Sequence, residues 1–302
     1  MTNNNSKGTP NYIDDEIDIR HLLNIVWQGK IQIITFTVLF SIAAVIYSLS
    51  LPNIYQSKAL LSSVSEESSA NLGGSSLAAI AGLNLSNNQG GNTTKALEKI
   101  RTLSFFEDNI LPNIFLPDLM AINSWDPESN EMTYHEDKFS IKNNAWSEAP
   151  SSQKSYKVFM SKLEFIQNQN TGFVTISVKH QSPFIAKAWT ELIVNELNLF
   201  FRMKDKKEAE AAMDFLNSQI SQTSYTEIKQ VIAQLLQQKM KQLTLIEANE
   251  YYVFSYLDPP AVMEERLEPS RSSISILGAL LGVMLGILSV VIRQYFRDER
   301  TR

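Results

Sequence analysis

The residues best suited to metal binding or proton transfer in this chain are three histidines, His21, His135 and His180. They are far apart in sequence and lack the spacing of metal ligands. Carboxylates are plentiful and cluster at Asp205–Glu210, where they read as the solvated face of a long helix rather than as an acid–base pair. No G-x-x-x-x-G-K-[ST] phosphate loop exists, and the one Gly-Lys pair, Gly29-Lys30, is followed by Ile31. Serines are numerous, but none sits in a G-x-S-x-G elbow. There is no cysteine, so the chain has neither disulfides nor thiolate metal sites. Net charge is −5 with no basic patch, which argues against nucleic acid. The expectation is a protein that is not an enzyme, with no cofactor and no metal.

Chemistry of another kind is written in three glycines. Gly278, Gly282 and Gly286 form a G-x-x-x-G-x-x-x-G ladder, flanked by Ser275 and Ala279. At this spacing they line one helix face, against which a second helix can pack backbone to backbone. The partner is either an earlier apolar helix of the same chain or another subunit. The ladder lies in an uncharged run, Ile274–Ile292, and a second such run is Ile31–Leu51. As helices they would extend roughly 28 Å and 31 Å, about the thickness of a bilayer's hydrocarbon core. A signal peptide is a poor fit for the first run, because its leader carries Asp14, Asp15, Glu16 and Asp18 and the run is too long. A buried core helix is a poor fit for the second.

Lys7, Arg20 and Lys30 precede the first run, and Arg293, Arg297, Arg300 and Arg302 follow the second. This bias puts both termini in the cytoplasm and residues 52–273 largely on the other side. Trp27, Tyr47, Tyr295 and Phe296 fall near the ends of the runs, as an aromatic belt would. The expected organisation is a leader (1–30), a first transmembrane helix (31–51), an exported domain (52–273), a second transmembrane helix (274–292) and a tail (293–302).

Within the exported domain, Ile54–Val64 reads as a strand. Ser65–Thr94 is rich in Ser, Asn and Gly around an apolar island, Leu77–Leu85. Thr93 or Thr94 caps an expected helix running to about Ile110, with Leu97, Ile100, Leu103 and Phe106 on one side and Pro112 at its end. Leu111–Pro150 reads as irregular. Ser151–Ser161 reads as a helix, and Leu163–Gln167 and Gly172–His180 as strands around a polar turn. Ser182-Pro183 marks a helix start.

From Phe184 to Asp258 there is neither Gly nor Pro. Two helices are expected there, about Pro183–Ser221 and Tyr225–Asn249, separated by Ser224-Tyr225-Thr226-Glu227 read as a capping box. The second carries an apolar stripe that includes Ile228, Ile232, Leu235 and Leu243 and favours an antiparallel hairpin over a single rod. Tyr251–Leu257 reads as a strand returning to the sheet. The fold class is an α+β membrane protein: two transmembrane helices flanking an α/β base domain with an extended helical hairpin.

Several of these segments together resemble the Wzz-type polysaccharide chain-length determinants, or polysaccharide co-polymerases. Asp14–Lys30 (DDEIDIRHLLNIVWQGK) looks like that family's amphipathic entry segment. Glu210–Pro260 is similar to its helical hairpin and return strand. Leu257–Ser272 (LDPPAVMEERLEPSRS) resembles its proline-rich stretch before the second span, with Pro259, Pro260 and Pro269 matching in type. Met263 stands where a further proline is common, and Leu61–Glu148 resembles the family only loosely. The resemblance implies a bacterial inner-membrane protein with a periplasmic domain that assembles with itself into a ring-shaped homo-oligomer. It implies a non-enzymatic regulator of O-antigen, lipopolysaccharide or related polysaccharide chain length. Its expected partners are a polysaccharide polymerase and lipid-linked polysaccharide. The alternative is a transmembrane activator of a tyrosine autokinase in capsule or exopolysaccharide export; with ten residues after the second span, that kinase would be a separate chain.

Overall fold

The computed structural model describes residues 26–64, 91–249 and 251–299. Its elements in chain order begin with helix α1 (Lys30–Ser50), strand β1 (Tyr55–Ser63), and helices α2 (Gly91–Ile100) and α3 (Leu116–Met120). Four short strands follow: β2 (Ile122–Trp125), β3 (Met132–Tyr134), β4 (Phe139–Ser140) and β5 (Ala145–Trp146). Next come helix α4 (Ser152–Lys162), strands β6 (Leu163–Gln167) and β7 (Val174–His180), and helices α5 (Pro183–Gln222) and α6 (Thr226–Ala248). Strand β8 (Phe254–Asp258) and helix α7 (Arg271–Glu299) complete the order. The acidic part of the leader, His21 and the Leu77–Leu85 island lie outside the described residues. The chain divides into two units: Met1–Leu51 with Pro269–Arg302, and Pro52–Glu268.

The first unit is an antiparallel pair of helices, α1 and α7. Both are long and apolar enough to cross a membrane. Their outward residues are large and aliphatic, including Ile34, Val38, Ile42, Leu280 and Met284, all more than half exposed. A helix pair with such a surface suits lipid, because every backbone polar group is satisfied within each helix.

The second unit is built on a four-stranded antiparallel sheet of order β6-β7-β1-β8. Alternation decides which side faces the core. Ala59 pairs with Ile176 and Leu61 with Val174, and all four are buried, as is Val178. α5 packs across β1 and β7 and adds Trp189, Ile193, Leu197 and Phe201 to this core. Phe105, Phe106, Ile110 and Phe159 close it from the other helical segments. On the opposite face, Gln56 donates to Ser177 Oγ at 3.0 Å and Glu164 Oε2 at 3.2 Å, so the buried amide is satisfied.

Several expectations are corrected. The helix expected from Thr93 or Thr94 to Ile110 is broken. It starts at Gly91, so both threonines lie inside it, and it ends at Ile100. Thr102 then caps a new turn by accepting from Phe105 N, and the chain continues through Phe106–Ile110 and Leu111–Asn113. Ser182 is an N-cap whose side chain makes no capping bond, although Pro183 occupies the first turn as expected. The expected capping box is not formed either: Tyr225 is the N-cap of α6 and no side chain caps it. Leu111–Pro150 is not irregular throughout. It contains α3 and two short antiparallel hairpins, β2–β3 and β4–β5, around the rings of Phe115, Tyr134, Phe139 and Trp146. Strands of two to four residues are too short to show an alternation in sequence.

Candidate functional sites: the glycine seam and the hairpin root

The glycine ladder faces α1 of the same chain. A Cβ added at Gly282 would lie 2.7 Å from Thr37 Cα and 3.0 Å from the Phe36 carbonyl oxygen. One added at Gly286 would lie 2.9 Å from Ile33 Cα, and one at Gly278 would overlap the Ala44 methyl. No side chain fits at any of the three, so the backbones approach as closely as helices can. The seam extends to Gly29, which sits against Val290. At that end Gln32 Nε2 donates to Ser289 Oγ at 2.6 Å, and Arg293 Nη1 donates to Gln32 Oε1 at 3.4 Å. Of the two partners left open by the sequence, the structure puts the first apolar helix against the ladder.

The three prolines of the pre-membrane segment do not act together. Pro260 is buried and Pro259 exposed, both just after β8, while Pro269 lies two residues before α7. Between them the chain returns to the start of β1. Ile54 N donates to Glu268 O at 2.9 Å, Leu267 N donates to Ile54 O at 2.7 Å, and Lys179 pairs with Glu268 at 2.9 Å. The entry and exit of the second unit therefore meet at one backbone pair.

α5 and α6 form an antiparallel hairpin. Lys206 Nζ pairs with Glu247 Oε1 at 2.5 Å, and Met213 and Asn217 face Leu236 and Met240 further out. Of the stripe residues, Ile232 is buried and Leu243 half-buried, whereas Ile228 and Leu235 are 48% and 43% exposed. One partner helix is narrower than the stripe, so part of the stripe faces outward in the single chain.

The root of this hairpin depends on residues that the sequence reading did not single out. Asn198 Oδ1 accepts from Val253 N at 2.8 Å and Phe254 N at 2.9 Å, and its Nδ2 donates to Phe254 O at 3.0 Å. These bonds hold the start of β8, which begins at Phe254 rather than at the expected Tyr251. Arg202 donates to Asn249 O, and Tyr252 OH donates to Asp205 Oδ2 at 2.5 Å. Burial and the Asp205 carboxylate push the Tyr252 phenol up. Asp205–Glu210 is thus only in part a solvated face. An Asn among apolar helix positions is the one sequence sign of the latch, because a buried amide must find partners.

The histidines are not brought together. His135 is exposed beside Asp137, and His180 is fully buried. Ser182 N donates to His180 Nδ1 at 3.0 Å, so Nδ1 carries no proton and Nε2–H donates to Asp118 O, also at 3.0 Å. Burial is the main cause that pulls the imidazole down to about 4. The Asp118 carboxylate, raised by burial, accepts from Tyr134 OH at 2.5 Å. This chain of bonds fastens α3 and the β2–β3 hairpin to the end of β7. Among the described residues no group of three His, Asp or Glu side chains is arranged to hold a metal ion.

Fold and sites together define a class: an α+β protein with two helices able to span a membrane and a latched helical hairpin. The sequence comparison gives a family match over the first part of the chain. Residues 15–101 match the Wzz family, described as chain length determinant protein. The resemblance to the Wzz-type family is thereby shown, carried by the first apolar helix, β1 and the segment after it. No curated protein matches the chain. Among solved structures, it aligns with a full-length bacterial polysaccharide co-polymerase at 14% identity and a TM-score of 0.40, covering 95% of this chain and 100% of that one. It also aligns with a fragment of WzzB, a polysaccharide co-polymerase from Salmonella Typhimurium, at 11% identity and a TM-score of 0.26, covering 72% of this chain and 100% of that one.

Proposed function

We propose that this chain is a non-enzymatic regulator of the length of O-antigen or a related surface polysaccharide. It works in the bacterial inner membrane as a homo-oligomer beside a polysaccharide polymerase. The observation that carries this reading is the match of residues 15–101 to the chain length determinant family. The two membrane-length helices and the closely packed seam between them support it. In this reading residues 52–273 lie in the periplasm and both termini in the cytoplasm. The outward half of the α6 stripe, with Ile228 and Leu235, would then be covered by a neighbouring copy. Deleting the gene should broaden the length distribution of the surface polysaccharide on a gel. An unchanged ladder would sink the proposal.

A further inference from the structure

We propose that the second unit touches the bilayer surface at the end where β1 begins, with Phe184 and Leu267 at the depth of the lipid headgroups. The inference rests on the membrane-spanning reading of α1 and α7 and on no other part of the proposed function. Chain length limits how far this end can stand from the lipid. Only Pro52, Asn53 and Ile54 separate Leu51 from Tyr55, and only Pro269 and Ser270 separate Glu268 from α7. Fully extended, the first connection reaches at most about 14 Å and the second about 11 Å. Ile54 and Glu268 are themselves paired, so both connections hold one point of the unit.

Apolar side chains flank that point and are left uncovered. On one side the Tyr55 ring lies 5.5 Å from that of Trp125, and Trp125 lies 6.4 Å from Phe184. Trp125 Nε1 donates to Asn130 Oδ1 at 2.9 Å, so its polar end is already satisfied. Phe184 is in the first turn of α5, off the face that buries Ala186, Trp189 and Thr190, and it is 48% exposed. On the other side Leu267 N donates to Ile54 O at 2.7 Å, yet Leu267 is 45% exposed, as is Met263. Charge sets the depth. Glu264, Glu265 and Arg266 are exposed between Met263 and Leu267, and Lys179 pairs with Glu268. Charges of both signs are costly in hydrocarbon, whereas rings and aliphatic side chains mixed with polar groups suit the membrane–water interface. The occupant is lipid rather than a second copy, because the two short connections bring this end to the bilayer in every copy.

The chain has no native cysteine, so single nitroxide labels can be placed at F184C and at L267C. The full chain is reconstituted in vesicles of phosphatidylethanolamine and phosphatidylglycerol. Spin relaxation is measured with oxygen, which concentrates in lipid, and with a water-soluble nickel chelate. V38C on the outward face of α1 is the lipid reference. Y225C is the water reference, because Tyr225 is 70% exposed and lies beyond the 40 residues of α5. At F184C and L267C the oxygen-to-nickel ratio should be several-fold above that at Y225C and below that at V38C. A ratio equal to that at Y225C at either site overturns the proposal. So does shielding from both reagents, which would mark cover by another copy. If V38C is lipid-like while F184C is water-like, the surface contact falls and the membrane reading stands. If V38C is itself water-like, the membrane reading falls and the contact with it. The polysaccharide ladder of a deletion strain is read independently of either result.

Discussion

Two buried polar side chains, Asn198 and His180, hold separate parts of the second unit in register. Asn198 makes three hydrogen bonds to one short stretch of backbone. Asn198→Ala would leave two amides and a carbonyl without that partner, each at a cost of about 1–3 kcal/mol and not fully additive. We expect a loss of about 3 kcal/mol, and faster amide exchange at Val253 and Phe254 than elsewhere in the sheet. Uniform exchange in the variant would count against the latch. His180 makes a prediction with pH. Its folded-state value of about 4 lies below the ordinary 6.5, so the unfolded chain takes up the proton first. The stability it contributes is present above pH 6.5 and is lost as pH falls toward 4, by at most about 3 kcal/mol. Asp118, raised by burial, acts in the opposite sense at the acid end. The comparison is therefore of melting temperatures for wild type and H180Q across this range. Parallel curves would show that His180 does not contribute the slope.

The seam between α1 and α7 shows how small residues set the distance between helices. Gly282→Leu would drive a side chain into Thr37 Cα and the Phe36 carbonyl. It should loosen the pair without preventing membrane insertion. The absence of native cysteine allows a direct measurement. A Q32C/S289C pair puts thiols on the two facing helices, where the native side chains touch at 2.6 Å, and a short bifunctional thiol reagent should join them within one chain. Adding G282L should reduce the yield of this link several-fold, and an unchanged yield would argue that the glycines do not set the spacing. The hairpin α5–α6 shows the converse. Its long Gly- and Pro-free stretch was legible from composition, and the helix ends lie within a residue or two of those expected. The capping bonds were not, since Ser182 stands at the N-cap but makes no such bond, and Ser224 lies one residue before the N-cap, Tyr225. A capping side chain competes with the local path of the backbone, and that path is set by what the helix packs on.

At the scale of the whole molecule, the outward stripe of α6 lets folding and the proposed association be tested separately. Ile232→Asp buries a charge and should destabilise the single chain, because its side chain is 8% exposed. I228D/L235D changes two residues that are 48% and 43% exposed, so it should leave the melting temperature nearly unchanged. If copies associate through this face, the same variant should lower the mass measured by light scattering in detergent. An unchanged mass would place the contacts between copies elsewhere.

What the sequence determined by itself were the features written in long, uninterrupted patterns. The two uncharged runs, the glycine period of four, the alternation in Val174–His180 and the Gly- and Pro-free helices each repeat often enough to stand above their surroundings. Hydrophobic burial and backbone geometry act on every repeat in the same way, so pattern alone predicts the element. Other features exist only once distant segments meet. Among them are the choice of α1 as the ladder's partner, the pairing of Ile54 with Glu268, the Asn198 latch and the neutral His180 beneath Asp118. Each depends on which residue lies opposite which across 55 or more positions of chain. No local period encodes that choice; the packing of the folded chain makes it, by leaving each buried polar group one place to be satisfied.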